Sequence, residues 1–173
     1  MNTTAEVLPF RGGQEEKDLY EIGEIPPLGH VPKNMYAWAI REERHGEPDT
    51  AMQCEVLPVT QPDSHEVLVL VMAAGVNYNG IWASLGKPIS VFNSHDCPFH
   101  IAGSDASGIV WAVGSKVTRW KVGDEVVIHC NQDDGDDEEC NGGDPMLSPT
   151  QRIWGYDCLL YTSDAADDLL CVD

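Results

Sequence analysis

Residues 103–127 read GSDASGIVWAVGSKVTRWKVGDEVV, and the spacing of their glycines decides the fold. Gly103, Gly108, Gly114 and Gly123 punctuate runs of β-branched and aromatic residues, a pattern suited to short strands that turn tightly and approach one another closely. Working outward, MYAWAIRE (35–42), MQCEVLPV (52–59) and HEVLVLVMAAGV (65–76) are further strands, separated by the turns HGEPDT and QPDS. NYNGIWASLG (77–86) follows a strand directly, and Asn79 is expected to cap a short helix from Gly80 to Leu85 by accepting a hydrogen bond from a free backbone N–H. The chain is thus expected to be mainly β, a small barrel rather than a sandwich, with one or two short helices.

The flanks differ in texture. Residues 1–33 are polar, hold Pro26-Pro27 and lack a sustained period, so they read as an extended arm that drapes over a partner surface or stays mobile. NQDDGDDEECNGGDPMLSPTQRIWGY (131–156) is too rich in Gly and Asp for a core strand and reads as an excursion from the barrel. Its acid run, Asp133 to Glu139, does not follow the spacing of a twelve-residue calcium loop, and a solvated charged loop is the better reading. The six cysteines include no CxxC pair, so they read as free thiols rather than a disulfide or zinc framework.

Acidic residues outnumber basic ones 29 to 10, for a formal charge of -19, which argues against nucleic acid as a partner. The same surplus is awkward for an anionic ligand unless a local basic patch receives it. The longest uncharged apolar run, Val67 to Val76, is about half the length of a bilayer crossing, so no membrane span is expected. The first residues have no apolar core flanked by basic residues and a cleavage site, which makes the cytoplasm the expected address.

The phrases AAGVNYN, HIAGSDASGIVWAVGSKVTRWKVGDEVV and QRIWGY together resemble the medium-chain dehydrogenase/reductase superfamily and, within it, the crotonyl-CoA carboxylase/reductases. The likeness runs from about Asp18 to Tyr156. It is most specific in NYNGIWASLG, IHCNQDDGDDEECNGGDP and QRIWGY, and it extends over the arm in DLYEIGEIPPLGHVPKNMYAWAIREERHGEP. The resemblance implies a GroES-like catalytic domain over 34–157, incomplete as a barrel, with the Rossmann domain of the parent enzyme absent. It also implies an NADPH-dependent reductive carboxylase that converts crotonyl-CoA and carbon dioxide to ethylmalonyl-CoA, with the parent a homo-oligomer. No G-x-G-x-x-G unit occurs in the sequence, so no cofactor-binding residue is expected here and the chain alone is expected to be inactive.

Zinc is not expected. Where zinc-dependent relatives carry a Cys and a Gly-His-Glu, this chain has Asn77-Tyr78-Asn79 and Gly103-Ser104-Asp105, with no thiolate or imidazole among them. Ser104 and Asp105 read as a turn with a buried hydrogen-bonding role. By residue-level match to the family, Asn79 takes the place of an Asn that contacts carbon dioxide, and Tyr156 and Asp157 take the places of an aromatic–Glu pair. In the family the backbone N–H at the acidic position helps to hold carbon dioxide, while its carboxylate orders a water with a His from the cofactor side. Tyr78 and Trp82 are candidates for lining the substrate pocket, with packing on an apolar face as the alternative. His95, His100 and His129 are assigned no catalytic role.

From Cys158 the text CLLYTSDAADDLLCVD departs from the family and resembles a translated sequencing-library adaptor, whose transposon end encodes Cys158 to Ser163 and which continues through Ala166. On that reading residues 158–173 are adaptor-derived, and Asp157 is either a junction residue or a native substitution for Glu. Two other readings stay open: a zinc-free enoyl or quinone reductase of the same superfamily, and a β-barrel module without activity.

Overall fold

The computed structural model describes residues 12–133 and 135–157, together with the backbone of 162–164. Residues 1–11 of the arm and most of the segment read as adaptor lie outside the described residues. Two antiparallel sheets form the body. In the first, β1 (Asn34–Ile40) runs between β2 (Gln53–Pro58) and β4 (His100–Ile101). In the second the order is β6-β5-β3-β9, with β3 at Glu66–Ala74, β5 at Ala106–Val113, β6 at Glu125–Ile128 and β9 at Thr162–Asp164. A third, two-stranded ladder joins β7 (Asn131–Gln132) to β8 (Arg152–Ile153) and closes the base of the acidic excursion.

The long β3–β5 pairing is the spine of the domain, and it is possible because of Gly108. A Cβ at that position would lie 2.1 Å from the Leu70 carbonyl oxygen, so only glycine lets the two backbones meet there. Register shifts at Leu68/Val69 and Val71/Ala73 bend the pair, and this curvature turns a flat sheet toward a barrel. Gly114 has the same function at the other end, where a Cβ would fall 2.0 Å from Asp63 O.

Burial follows the alternation of the strands. Val67 of β3, Val110 of β5 and Val126 of β6 form one core cluster, against which Val69, Val117 and Trp120 pack. Ala39, Leu57 and Ile101 form a second cluster beneath the first sheet. Trp154, 2 % exposed, joins Ala106 and Ile128, which anchors the returning end of the excursion to the second sheet.

Three local outcomes differ from the sequence reading. HGEPDT is not only a turn: Pro48–Ala51 forms a one-turn helix, α1, with Pro48 in the first turn, where its missing N–H costs nothing. The described part of the arm lies on its own domain. Gly13 N donates to Pro26 O at 2.9 Å, Asn34 N to Asp18 O at 2.9 Å, and Trp111 Nε1 to His30 O at 2.8 Å. Three residues of the tail, Thr162–Asp164, add antiparallel to Glu66–Leu68 at the edge of β3. An open strand edge presents unpaired backbone groups to any extended segment, so this pairing requires no particular side chains.

The Trp111–His30 bond gives a first testable consequence. Trp111→Phe preserves most of the apolar volume but leaves the His30 carbonyl without its indole donor, and is expected to cost about 1 kcal/mol. Urea unfolding should show the loss, and limited proteolysis should cut earlier within residues 12–33.

Candidate functional site

The site is built around α2, Tyr78–Leu85, which starts where β3 leaves the sheet. Asn77 has extended backbone angles, φ -140 and ψ 173, and its side-chain oxygen accepts from Asn79 N at 3.0 Å. Asn77 is therefore the cap, and the helix begins two residues earlier than the expected Gly80. The expected cap, Asn79, lies inside the first turn; its own N–H is the one that is capped. At the other end Gly86, with φ 63, stops the helix in the left-handed region.

Capping frees the Asn79 amide for other work. Its Nδ2 reaches Ser104 Oγ at 3.5 Å, a long contact that holds the side chain weakly. Asn77 Nδ2 donates to Ser104 Oγ at 3.0 Å and also to the Asp105 carboxylate. Ser104 is 1 % exposed, so its buried hydroxyl ties both asparagines to the β4–β5 loop. Asp105 remains exposed. Asn77→Ala would remove the cap and both cross-links, and is expected to lower stability by roughly 1–2 kcal/mol in urea unfolding.

These side chains are an amide, a hydroxyl and a carboxylate that already satisfy one another. They supply no thiolate or imidazole, so they do not fit a catalytic zinc ion. Among the described residues no group of three or more His, Cys, Asp or Glu side chains is placed to hold a metal.

Beside this cluster lies an apolar cleft of about 300 Å³ with Trp38, Met52, Val76, Asn77, Ile81 and Asp105 on its walls. Tyr78 and Trp82 are not among the residues that line it. They stand four residues apart, a helical turn that puts them on one face, and their rings meet at 6.1 Å. That face points outward, with Tyr78 69 % and Trp82 46 % exposed. Packing on an apolar face, the other expectation for this pair, does not describe them either. Asn77, Gly80 and Ile81 share the inward-facing side of the helix.

Tyr156 lies against the cluster that Ala83 of α2 joins. It packs against the buried cluster of Ile40, Ala83 and Val91, and its hydroxyl donates to Lys87 O at 3.0 Å, just beyond the helix end. Burial, and after it the neighbouring Asp157 carboxylate, hold its phenol above the ordinary value. Asp157 closes its own turn: its Oδ2 accepts from Ile153 N at 2.8 Å and its Oδ1 from Ser94 Oγ at 3.3 Å. The Asp157 backbone N–H donates to Ile153 O at 2.8 Å. The N–H and carboxylate to which the family resemblance gives roles are thus engaged locally in this structure. No hydrogen bond among the described residues joins Asn79 to Tyr156 or Asp157.

Two features escaped the sequence reading. One is Asn77, the cap itself, where the sequence reading places Asn79; the Asn-Tyr-Asn repeat carries the signal for either. The other is the histidine pair. His100, 0 % exposed, meets Gly155 O through Nε2 at 2.9 Å and His95 Nε2 through Nδ1 at 3.0 Å. Nothing in the local sequence brings His95 back onto His100, because the turn at 96–99 does so.

Comparison with known proteins gives a consistent picture. Residues 63–167 match the family model described as the alcohol dehydrogenase GroES-like domain. Over 142 residues the chain is 82 % identical to a crotonyl-CoA carboxylase/reductase of Cereibacter sphaeroides, covering 82 % of this chain and 33 % of that protein. A solved crotonyl-CoA carboxylase/reductase superposes with a TM-score of 0.79 at 75 % identity, covering 83 % of this chain and 34 % of the other. Another, AntE in complex with NADP, gives 0.76 at 46 % identity over 86 % of this chain and 40 % of that one. The chain therefore spans only about a third of the length of the curated relative it matches.

Proposed function

The chain belongs to the alcohol dehydrogenase GroES-like domain family, and we propose that it is the substrate-side segment of a crotonyl-CoA carboxylase/reductase that forms ethylmalonyl-CoA from crotonyl-CoA and carbon dioxide. The observation that carries this reading is the 82 % identity over 142 residues to such an enzyme. The proposal includes a cytoplasmic address and a homo-oligomeric parent. Among the described residues no helix is long and apolar enough to cross a membrane.

Reduced nicotinamide would supply a hydride to the β-carbon of the enoyl thioester. This chain has no G-x-G-x-x-G strand–turn–helix to bind it, so the dinucleotide is assigned to the part of the relatives that the chain does not span. The contribution of the present residues concerns the enolate that results, whose α-carbon can attack carbon dioxide or take a proton. Carboxylation wins when the gas is held by fixed donors and acidic groups are kept away. An amide fits this task because it donates without being acidic. Asn79, at the mouth of the strand-to-helix corner and only weakly held by Ser104, is assigned that donor role. Tyr156 packs against the cluster that includes Ala83 of α2, and Asp157 closes the turn from Ile153 that carries them both. For Asp157 to offer its N–H to carbon dioxide, the bond to Ile153 O must be shared or released, a rearrangement that substrate binding would have to drive.

The test is Asn79→Leu in a full-length enzyme carrying residues 12–157 of this chain. Loss of one fixed donor is expected to shift the product ratio toward the protonated, saturated thioester by about 10- to 100-fold, the range of one hydrogen bond to developing charge. An unchanged ratio would refute the assignment.

A further inference from the structure

The turn that carries Tyr156 and Asp157 is anchored from below by a group that the proposed chemistry does not use. His100 Nε2 lies 2.9 Å from Gly155 O, and a carbonyl only accepts, so Nε2 carries the proton. In a neutral ring Nδ1 must then accept, and its partner is His95 Nε2 at 3.0 Å, which is therefore the donor. That leaves His95 Nδ1 as an acceptor, and it receives Cys97 N–H at 3.3 Å. Each of the three contacts is satisfied by one assignment of protons, running from Cys97 through both rings to Gly155. Both rings neutral with their protons on Nε2 is the state that makes every bond in the series.

The endpoint of this relay matters because of where Gly155 sits. A Cβ on Gly155 would fall 2.0 Å from Gly103 O, so this residue rests directly on the β4–β5 loop. One residue further along that loop is Ser104, the hydroxyl that holds Asn77 and Asn79. His100 belongs to β4, the strand leading into the same loop. One buried ring thus fixes the spacing between the turn at 155–157 and the partner of Asn79. We propose that His95 and His100 are positioning residues that set the distance between the Tyr156–Asp157 turn and the Asn79 corner, and through it the choice between carboxylation and protonation. The assignment rests on the reductive-carboxylase reading above. Burial holds both rings below their ordinary proton affinity, His100 at about 4, in keeping with a neutral pair.

Two measurements test this. In the present chain, two-bond proton–nitrogen spectra of the histidine rings at pH 7 should show both His95 and His100 neutral with the proton on Nε2; an Nδ1–H form or a charged ring at His100 overturns the relay. In the full-length enzyme carrying residues 12–157, His100→Asn has no donor at the Nε2 position and His100→Gln restores one. His100→Asn should move the product ratio toward the saturated thioester by about tenfold, while His100→Gln stays within about threefold of the parent, as expected for one hydrogen bond of roughly 1.4 kcal/mol. Equal effects of the two variants, or loss of total turnover at a constant ratio, mean that the pair only supports the fold and overturn the positioning role. Where His100→Asn fails to fold, His95→Phe removes the upstream donor at a half-buried position and is expected to shift the ratio in the same direction; a constant ratio there overturns the role as well. Asn79→Leu, measured alongside, separates the two levels. If it moves the ratio while the histidine variants do not, the relay fails alone; if it too leaves the ratio unchanged, the carboxylase reading fails.

Discussion

Gly155→Ala is expected to destabilise the domain severely. The residue has φ +73, where alanine is strained, and the added Cβ would meet backbone, Gly103 O at 2.0 Å and Gly103 C at 2.6 Å. Backbone on both sides cannot yield as a flexible side chain would, so the turn must move away from the β4–β5 loop. Left-handed strain alone costs about 1 kcal/mol, and displacing packed backbone adds to it, for roughly 3–5 kcal/mol in total. Trp154, 2 % exposed, and the His100–Gly155 bond would be disturbed together. Denaturant unfolding should show the midpoint collapse, and in a full-length enzyme the carboxylated product should fall more than total turnover.

Mild acid is expected to produce the second large effect, through His100. Burial is the main cause that lowers its proton affinity from 6.5 to about 4, with His95 and His45 adding smaller contributions of the same sign and the Gly155 carbonyl opposing them. A group whose folded value is depressed stays neutral in the fold while the unfolded chain takes up a proton. Its stabilising contribution is therefore complete above pH 6.5 and is lost as the pH falls toward and through about 4. The interval corresponds to about 3 kcal/mol for a single ring. His100→Gln, which has no proton to gain, should flatten the dependence of unfolding free energy on pH across that window. A slope that persists in the variant would place the titration elsewhere.

Much of this architecture is legible in the residues. The β3–β5 spine follows from two β-branched runs, and Gly108 signals the close approach that lets them pair. The corner after β3 is announced by NYN, but two asparagines flank Tyr78 and either could cap. Only the extended backbone at Asn77 decides between them, and that backbone is set by how β3 leaves the sheet. Tyr78 and Trp82 share a helical face by spacing alone, yet which face turns inward depends on Ala83 packing against Ile40 of the first sheet. The His95–His100 contact and the seat of Gly155 on Gly103 join residues through loop geometry that no local periodicity encodes. The pairing of Thr162–Asp164 with β3 is backbone chemistry, which any extended segment can satisfy, and so leaves no mark in side-chain pattern.

The chemical role proposed for the corner rests on family likeness and not on local pattern. Composition pointed away from nucleic acid, and the lack of soft ligands pointed away from zinc, but neither observation names a substrate. The identity of 82 % with a crotonyl-CoA carboxylase/reductase does so for a relative three times as long, and the geometry then says which groups of this segment could serve the reaction. The Asn79 amide makes only a long contact to Ser104 Oγ, at 3.5 Å, while the Asp157 N–H is already committed to Ile153 O. That asymmetry makes the amide the more exposed point of the account.

The most direct test is the fate of carbon dioxide in a full-length protein carrying residues 12–157 of this chain, supplied with crotonyl-CoA, NADPH and carbon-13 bicarbonate. Mass spectrometry should find ethylmalonyl-CoA bearing one labelled carboxylate, formed in step with NADPH consumption. Unlabelled saturated thioester as the sole product, at the same rate with and without bicarbonate, would contradict it.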